Sequence, residues 1–186
     1  FAPERMKMGD WDNVGLLCGR FSTEVETVLV ALDPLPDVIA EAVELGAQCI
    51  VTHHPLFSDP PRAINETTLA GRSVLELIEH GIAAVNLHTN LDCASGGVND
   101  ALAAKLELDN VRILDPAGVD DAGRPYGLLR AGEILQTDLA SFAGFVKEKL
   151  GCPGLRFADA GKPVRFVAVG GGSCGSAIDE VLAAGC

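Results

Sequence analysis

At 186 residues, 48% of them hydrophobic, the chain is long enough to bury one good core, or to divide it between two modest lobes, without help from disulfides. Its 14 basic and 26 acidic residues leave a net charge of −12, which excludes nucleic acid and anionic membrane surfaces as partners held by general attraction, so an anionic substrate needs a metal, backbone amides or a few arginines. No apolar run approaches the ~20 residues of a membrane span, no basic-then-apolar leader opens the chain, and its six cysteines, with no Cys-x-x-Cys pair, read as the reduced thiols of a cytoplasmic protein.

Residues 14–18 and 27–32 are apolar runs of strand length, the second rich in β-branched residues and ended by Asp33-Pro34. Pro36 fits a first helical position, Val38, Ile39, Ala42 and Val43 make the stripe of that helix, and Gly46 stops it. The near-continuous apolar run 47–52 predicts a strand covered by helices on both faces. Asn65 or Thr67 is placed to cap the next helix, whose stripe is Leu69, Val74, Leu77 and Ile78; His80 lies at its end to satisfy terminal carbonyls, and Gly81 closes it. Residues 82–87 make another buried strand and 98–106 a short amphipathic helix. The alternation predicts an α/β fold with a mainly parallel or mixed sheet and right-handed crossovers.

Residues 115–126, dense in Pro, Gly and Asp, interrupt the rhythm and mark a boundary or a long surface loop; a first lobe is expected over 1–120 and a partial second lobe over 121–186. Beyond it, 128–135 reads as a strand and Thr137 as the cap of a helix using Leu139, Phe142, Val146 and Leu150, with Gly151 as its stop. A strand at 164–169, a glycine-rich turn at 170–176 and a helix at 177–184 repeat the same grammar. The chain opens on Phe1 and stops at Cys186, directly after that helix and Gly185, where a further strand would be expected; truncation at both ends is expected.

The chemistry gathers at strand exits. Apolar segment 49–52 runs into His53-His54-Pro55, and segment 82–87 into His88-Thr89-Asn90-Leu91-Asp92. Successive side chains of a strand face opposite ways, so His53 and His54 can share a site only at the strand's end, where Pro55 forces an extended backbone and lets the imidazoles diverge toward two nearby ions. Asp92 can supply a carboxylate that binds one ion or bridges both. Imidazole and carboxylate together suit Zn, Mn or Fe, and the carboxyl ends of parallel strands are where ligands bind. The competing account is that these histidines are hydrogen-bonded structure. Gly170-Gly171-Gly172-Ser173-Cys174-Gly175 fits the Gly-x-Gly-x-x-Gly pattern of dinucleotide turns, although a turn that lets backbone approach a neighbouring loop, or that offers amides to a phosphate, explains it as well. Asp10-Trp11-Asp12-Asn13 reads as a turn in which Asp and Asn bond to backbone and Trp11 covers the core edge.

Trp11-Asp12-Asn13-Val14-Gly15-Leu16-Leu17, Thr52-His53-His54-Pro55 with Phe57 close behind, and His88-Thr89-Asn90-Leu91-Asp92 followed by Gly96-Gly97-Val98-Asn99 resemble, in order and spacing, the dinuclear-metal family of GTP cyclohydrolase type 2 homologues. The glycine-rich segment 167–176 matches as well, so the similarity runs from Trp11 to the end of the chain. The resemblance implies two similar α/β lobes, a toroidal homohexamer with metal sites facing an internal cavity, and two divalent ions per subunit. It implies His53, His54 and Asp92 as ligands. That family completes its site with a His-x-x-x-Glu pair near the carboxyl terminus, a motif this sequence does not contain, and the short 115–126 stretch implies a compact form without an inserted domain. The family name implies hydrolysis of the purine imidazole ring of GTP; a physically plausible version has metal-activated water attack the ring carbon while the second ion or His88, the candidate catalytic residue, stabilises charge or shuttles a proton. Three classes are in play: a metal-dependent hydrolase of a nucleotide or related phosphate compound, a non-catalytic metal-binding regulatory or interaction protein, and a dinucleotide-dependent enzyme.

Overall fold

The computed structural model describes all residues, Phe1–Cys186, in two compact units, Phe1–Leu91 and Asp92–Cys186. In the first, a 3-10 turn at Glu4–Met6 precedes β1 (Gly15–Cys18), β2 (Val28–Ala31), α1 (Pro36–Glu44), β3 (Cys49–Thr52), α2 (Leu69–Glu79) and β4 (Ala83–Asn86). The strands lie in the order β1-β4-β3-β2, with β2, β3 and β4 parallel and β1 antiparallel against β4. The α/β class and the mixed sheet are as the alternation predicts.

Pro36 opens α1, and glycines at φ 63° (Gly46) and 67° (Gly81) follow α1 and α2, a backbone region open to glycine at little cost. The cap of α2 is Thr68, whose hydroxyl accepts the Gly71 N–H at 3.0 Å, rather than Asn65 or Thr67; Asn65 instead accepts the Thr67 N–H. Ile39 and Ala42 of α1, Val74 and Leu77 of α2, and Ile50 and Ala84 of the sheet share one core with Leu29. Both helices therefore cover the same face of the sheet, not opposite faces, and on the other parity of β2 Val28 and Val30 are 47% and 75% exposed. A continuous apolar run signals burial of a strand, without telling from which side each face is covered.

In the second unit, after α3 (Thr89–Cys93), inside which the division falls, come α4 (Val98–Lys105), β5 (Asp109–Ile113), the hairpin β6 (Gly118–Val119) and β7 (Pro125–Tyr126), β8 (Arg130–Thr137), α5 (Leu139–Leu150), β9 (Val164–Val169) and α6 (Ile178–Ala183). The units divide about thirty residues earlier than residues 115–126 suggest. Ala103 of α4 packs in one core with Leu106, Leu108, Val167 and Val169, so that helix belongs to the second sheet rather than the first. Of the two readings of 115–126 the surface loop is the one found: its Asp and Gly residues build the hairpin loop, where Asp120 accepts the N–H groups of Ala122 and Arg124 at 2.9 and 2.8 Å.

The sheet β5-β8-β9 is antiparallel throughout, unlike the first. Strand and helix alternate here too, but β9 starts at Val164 beside Thr137, where β8 ends, so α5 and residues 151–163 return the chain to its point of departure. Thr137 is thus the last residue of β8, and the cap of α5 is Asp138, whose carboxylate accepts the Ser141 N–H at 2.9 Å. No helix is long and apolar enough to cross a membrane.

Candidate metal centre

Strand register builds the site. β3 and β4 run parallel with Thr52 beside Asn86, and the ladder continues past the strands through Leu87 N–H to Thr52 O at 2.9 Å, which brings the residues after both strands out side by side. β2 pairs Ala31 with Thr52, and His54 N–H reaches Leu32 O at 2.9 Å, so Asp33 emerges next to His54. β1 runs the other way with Gly15 beside Asn86, which places the residues before β1 next to those after β4. Asp12 meets His88 by that route.

Beneath the His-His-Pro turn lies a buried polar knot. Asn86, fully buried, donates from Nδ2 to the Thr52 hydroxyl and to His54 O at 2.8 Å, and its Oδ1 takes the Leu56 N–H at 3.4 Å. Thr52 also donates to His54 O at 2.9 Å. An alanine at 86 leaves Leu56 N–H without its acceptor and frees the turn that aims both imidazoles. Asn86→Ala is expected to lower the unfolding free energy by about 2 kcal/mol and to reduce metal affinity, with both read on the same preparation by urea titration and by competition with a chelator.

Each of the three histidines is held by Nδ1. His53 Nδ1 lies 3.0 Å from Leu87 O, His54 Nδ1 2.6 Å from Asp33 Oδ1, and His88 Nδ1 2.8 Å from Asp12 Oδ1. Carbonyl and carboxylate oxygens only accept, so the proton is assigned to Nδ1 on each ring and the lone pair to Nε2, the form in which a histidine binds metal with an outer oxygen fixing its tautomer. Ring centroids are separated by 5.3 Å (His53 to His54), 5.1 Å (His53 to His88) and 6.0 Å (His54 to His88). One donor atom from each falls within 4.8 Å of the others. Bonds of about 2.1 Å place two nitrogens on one ion up to about 4.2 Å apart, so a donor set of this spread suits a single ion or two adjacent ions. Residues of this kind and spacing fit a borderline divalent cation.

His88, expected to act on charge or a proton, stands also among the potential ligands beside His53 and His54. Asp92 opens the second unit and is buried there, its main-chain oxygen taking the Asn99 Nδ2 proton at 3.2 Å. The nearby Cys174 thiol is pushed up in pKa by burial first and by the charge of Asp92 second, which argues against a nucleophilic role. Asp12 and Asp33, the carboxylates that hold two of the imidazoles, are not singled out by sequence as parts of a site. The Trp11-Asp12-Asn13 turn carries more than turn chemistry: Asp12 has a side chain only 1% exposed and accepts from His88 Nδ1, from Thr89 N–H at 3.2 Å and from the Thr89 hydroxyl. Trp11 is 66% exposed and does not cover the core edge; its indole stands 6.4 Å from the His88 ring at 84°.

The glycine-rich turn serves packing. Gly171 N–H goes to Asn99 Oδ1 at 2.6 Å, which removes that amide from phosphate binding, and Asn99 in turn holds Leu128 O at 2.7 Å. The strand before the turn lies antiparallel to β8.

Comparison with known proteins agrees with the motifs. Residues 1–186 match the family described as Duf34/NIF3 (NGG1p interacting factor 3). A "GTP cyclohydrolase 1 type 2 homolog" of Streptomyces coelicolor is 42% identical over 94% of this chain and 62% of its own, and one of Clostridium perfringens is 36% identical over 92% and 65%. The chain therefore spans a little under two thirds of these relatives. Among solved structures, the Staphylococcus aureus hypothetical protein SA1388 superposes with a TM-score of 0.91 at 29% identity, covering 100% of this chain and 72% of that one.

Proposed function

We propose that this chain, which belongs to the Duf34/NIF3 family, is the metal-binding part of a divalent-metal-dependent hydrolase that acts on a nucleotide or a related phosphate compound. The observation that carries it is the convergence of His53, His54 and His88, each with Nδ1 engaged by a protein oxygen, on donor positions within 4.8 Å. A divalent ion held there, Zn, Mn or Fe, supplies Lewis acidity, which lowers the pKa of water and polarises a substrate oxygen or ring. The remaining work belongs to protein groups. Asp12 keeps the His88 ring in one tautomer and one orientation, Asp33 does so for His54, and the Leu87 carbonyl for His53. Asn86 and Thr52 fix the backbone that carries the first two rings. Asp92 is proposed as the carboxylate ligand on the resemblance of the His-x-x-x-Asp segment, and two ions per subunit and a homohexamer are proposed on the same ground. The relatives' name makes GTP the first substrate to try.

The test is release of formate from GTP by purified protein loaded with Mn, Zn or Fe, together with metal counted per chain. Formate that disappears in His53→Ala while metal-free stability is retained supports the hydrolase. Stoichiometric metal with no formate under any ion transfers the site to the second reading, a metal-binding regulatory protein, for which the absence of an assigned general base beside the imidazoles already speaks. A protein that takes up no divalent ion removes both.

A further inference from the structure

We infer that Trp11 is a stacking platform for a planar heteroaromatic ring on the ligand of the three-histidine group, an assignment that rests on the metal-site reading above. Three observations converge on it. First, the indole is the chain's only one and is 66% exposed, so burial within this chain explains little of its presence. Second, it is held. Residues 9–12 form a turn closed by Asp12 N–H to Gly9 O at 3.1 Å, and a Cβ built on Gly9 would lie 2.8 Å from Trp11 Nε1 and 2.9 Å from Cδ1, so the indole rests on backbone that only glycine leaves bare. The segment is further tied down by Met8 N–H to the Thr89 hydroxyl at 2.8 Å. Third, the next residue is Asp12, whose buried carboxylate grips His88, so one peptide unit links the indole to the imidazole. The two rings stand 6.4 Å apart and 84° from parallel, and a ring laid on the indole face would therefore stand nearly at a right angle to the His88 imidazole.

An exposed indole on a tied-down turn suits stacking, because the backbone loses little freedom on binding and every base offers a π face. The ligand class is then a purine or another flat heterocycle joined to a group that the cation can hold. A ringless sugar phosphate would meet the ion and miss the platform.

Within these 186 residues the tryptophan is single, so all indole emission of this chain comes from residue 11. The emission of the protein of this sequence is expected to be that of a water-exposed indole and open to acrylamide. Mn²⁺ should quench it, GMP added to the Mn²⁺-loaded protein should quench it further, and ribose 5-phosphate should bind without doing so. By equilibrium dialysis, Trp11→Ala should bind GMP about tenfold more weakly and Trp11→Phe about as well as the parent, with metal content unchanged in both. Equal GMP affinity in Trp11→Ala, failure of metal-loaded protein to bind GMP, or acrylamide protection that is lost on dilution, which would mean a second copy covers the indole, each overturns the platform. Failure of the metal reading shows separately, as no Mn²⁺ retained on dialysis; GMP quenching that persists there keeps the platform, and its absence removes it.

Discussion

Asp12→Ala is expected to destabilise the protein by about 3 kcal/mol and to weaken divalent-metal binding by about 10- to 100-fold. The substitution leaves three donors facing a void: the Nδ1–H of His88, the N–H of Thr89 and the Thr89 hydroxyl. Thr89 is buried, so its amide cannot simply rehydrate, and buried donors without partners cost about 1–3 kcal/mol each. Solvent reaches the 24% exposed His88 side chain and discounts that share. The metal effect has a different origin: without the carboxylate, His88 is no longer held in the tautomer with its lone pair on Nε2. Asp12→Asn separates the two. It keeps the volume and one acceptor but turns an amide toward one of the donors, so stability should recover in part while metal affinity stays low. Urea midpoints and chelator competition on both variants check this; unchanged metal affinity in Asp12→Ala would reduce Asp12 to a packing role.

The difficulty of finding Asp12 from sequence shows what a linear reading can reach. His53, His54 and His88 are legible because each comes after an apolar run of strand length, and strand exits are local features. Asp33 is visible only as the end of a strand, and Asp12 only as a turn, since their partners lie 21 and 76 positions away. Register joins them, parallel for Asp33 and antiparallel for Asp12, and neither register is written in the periodicity of a single segment. The same lack hides the direction of β9: strand, helix and strand give no sign that residues 151–163 carry the chain back. Differences in capping are smaller and chemical. Thr137 and Asp138 are both good caps, and the extra residue of β8 decides between them. The glycine pattern at 170–175 misdirects toward a cofactor because glycine answers equally to a phosphate and to the close approach of Asn99.

Arg130→Met should be the most destabilising change in the second unit, at about 3 kcal/mol, and its effect should shrink in acid. The guanidinium is 1% exposed and donates to Gly127 O at 2.6 Å, Ala94 O at 3.1 Å, Cys93 O at 3.3 Å and both carboxylate oxygens of Asp100. It fastens the start of β8 to the first turn of α4, and Asn99 on that same turn holds the main-chain oxygen of Asp92. Methionine fills much of the volume but donates nothing, so buried carbonyls lose their partners while Asp100, 30% exposed, rehydrates in part. Burial by itself would push the Asp100 carboxyl up, yet the hydrogen bonds from Arg130 and the Gly96 amide, with the guanidinium charge, hold it below the ordinary carboxylate range. A carboxyl depressed in the folded state adds stability that is fully present above its unfolded pKa of about 3.9 and disappears as pH falls through the lower folded value. The parent therefore loses this contribution on acidification and Arg130→Met, left with the Gly96 amide alone, has less to lose, so the gap between their urea midpoints, wide at neutral pH, should narrow below about pH 3.9. Asp100→Asn should show the same flattened acid limb with a smaller loss at neutral pH, because the amide oxygen still accepts from the guanidinium. A gap that stays constant from neutral to acid pH would mean that the carbonyl contacts alone, and not the ion pair, hold β8 to α4.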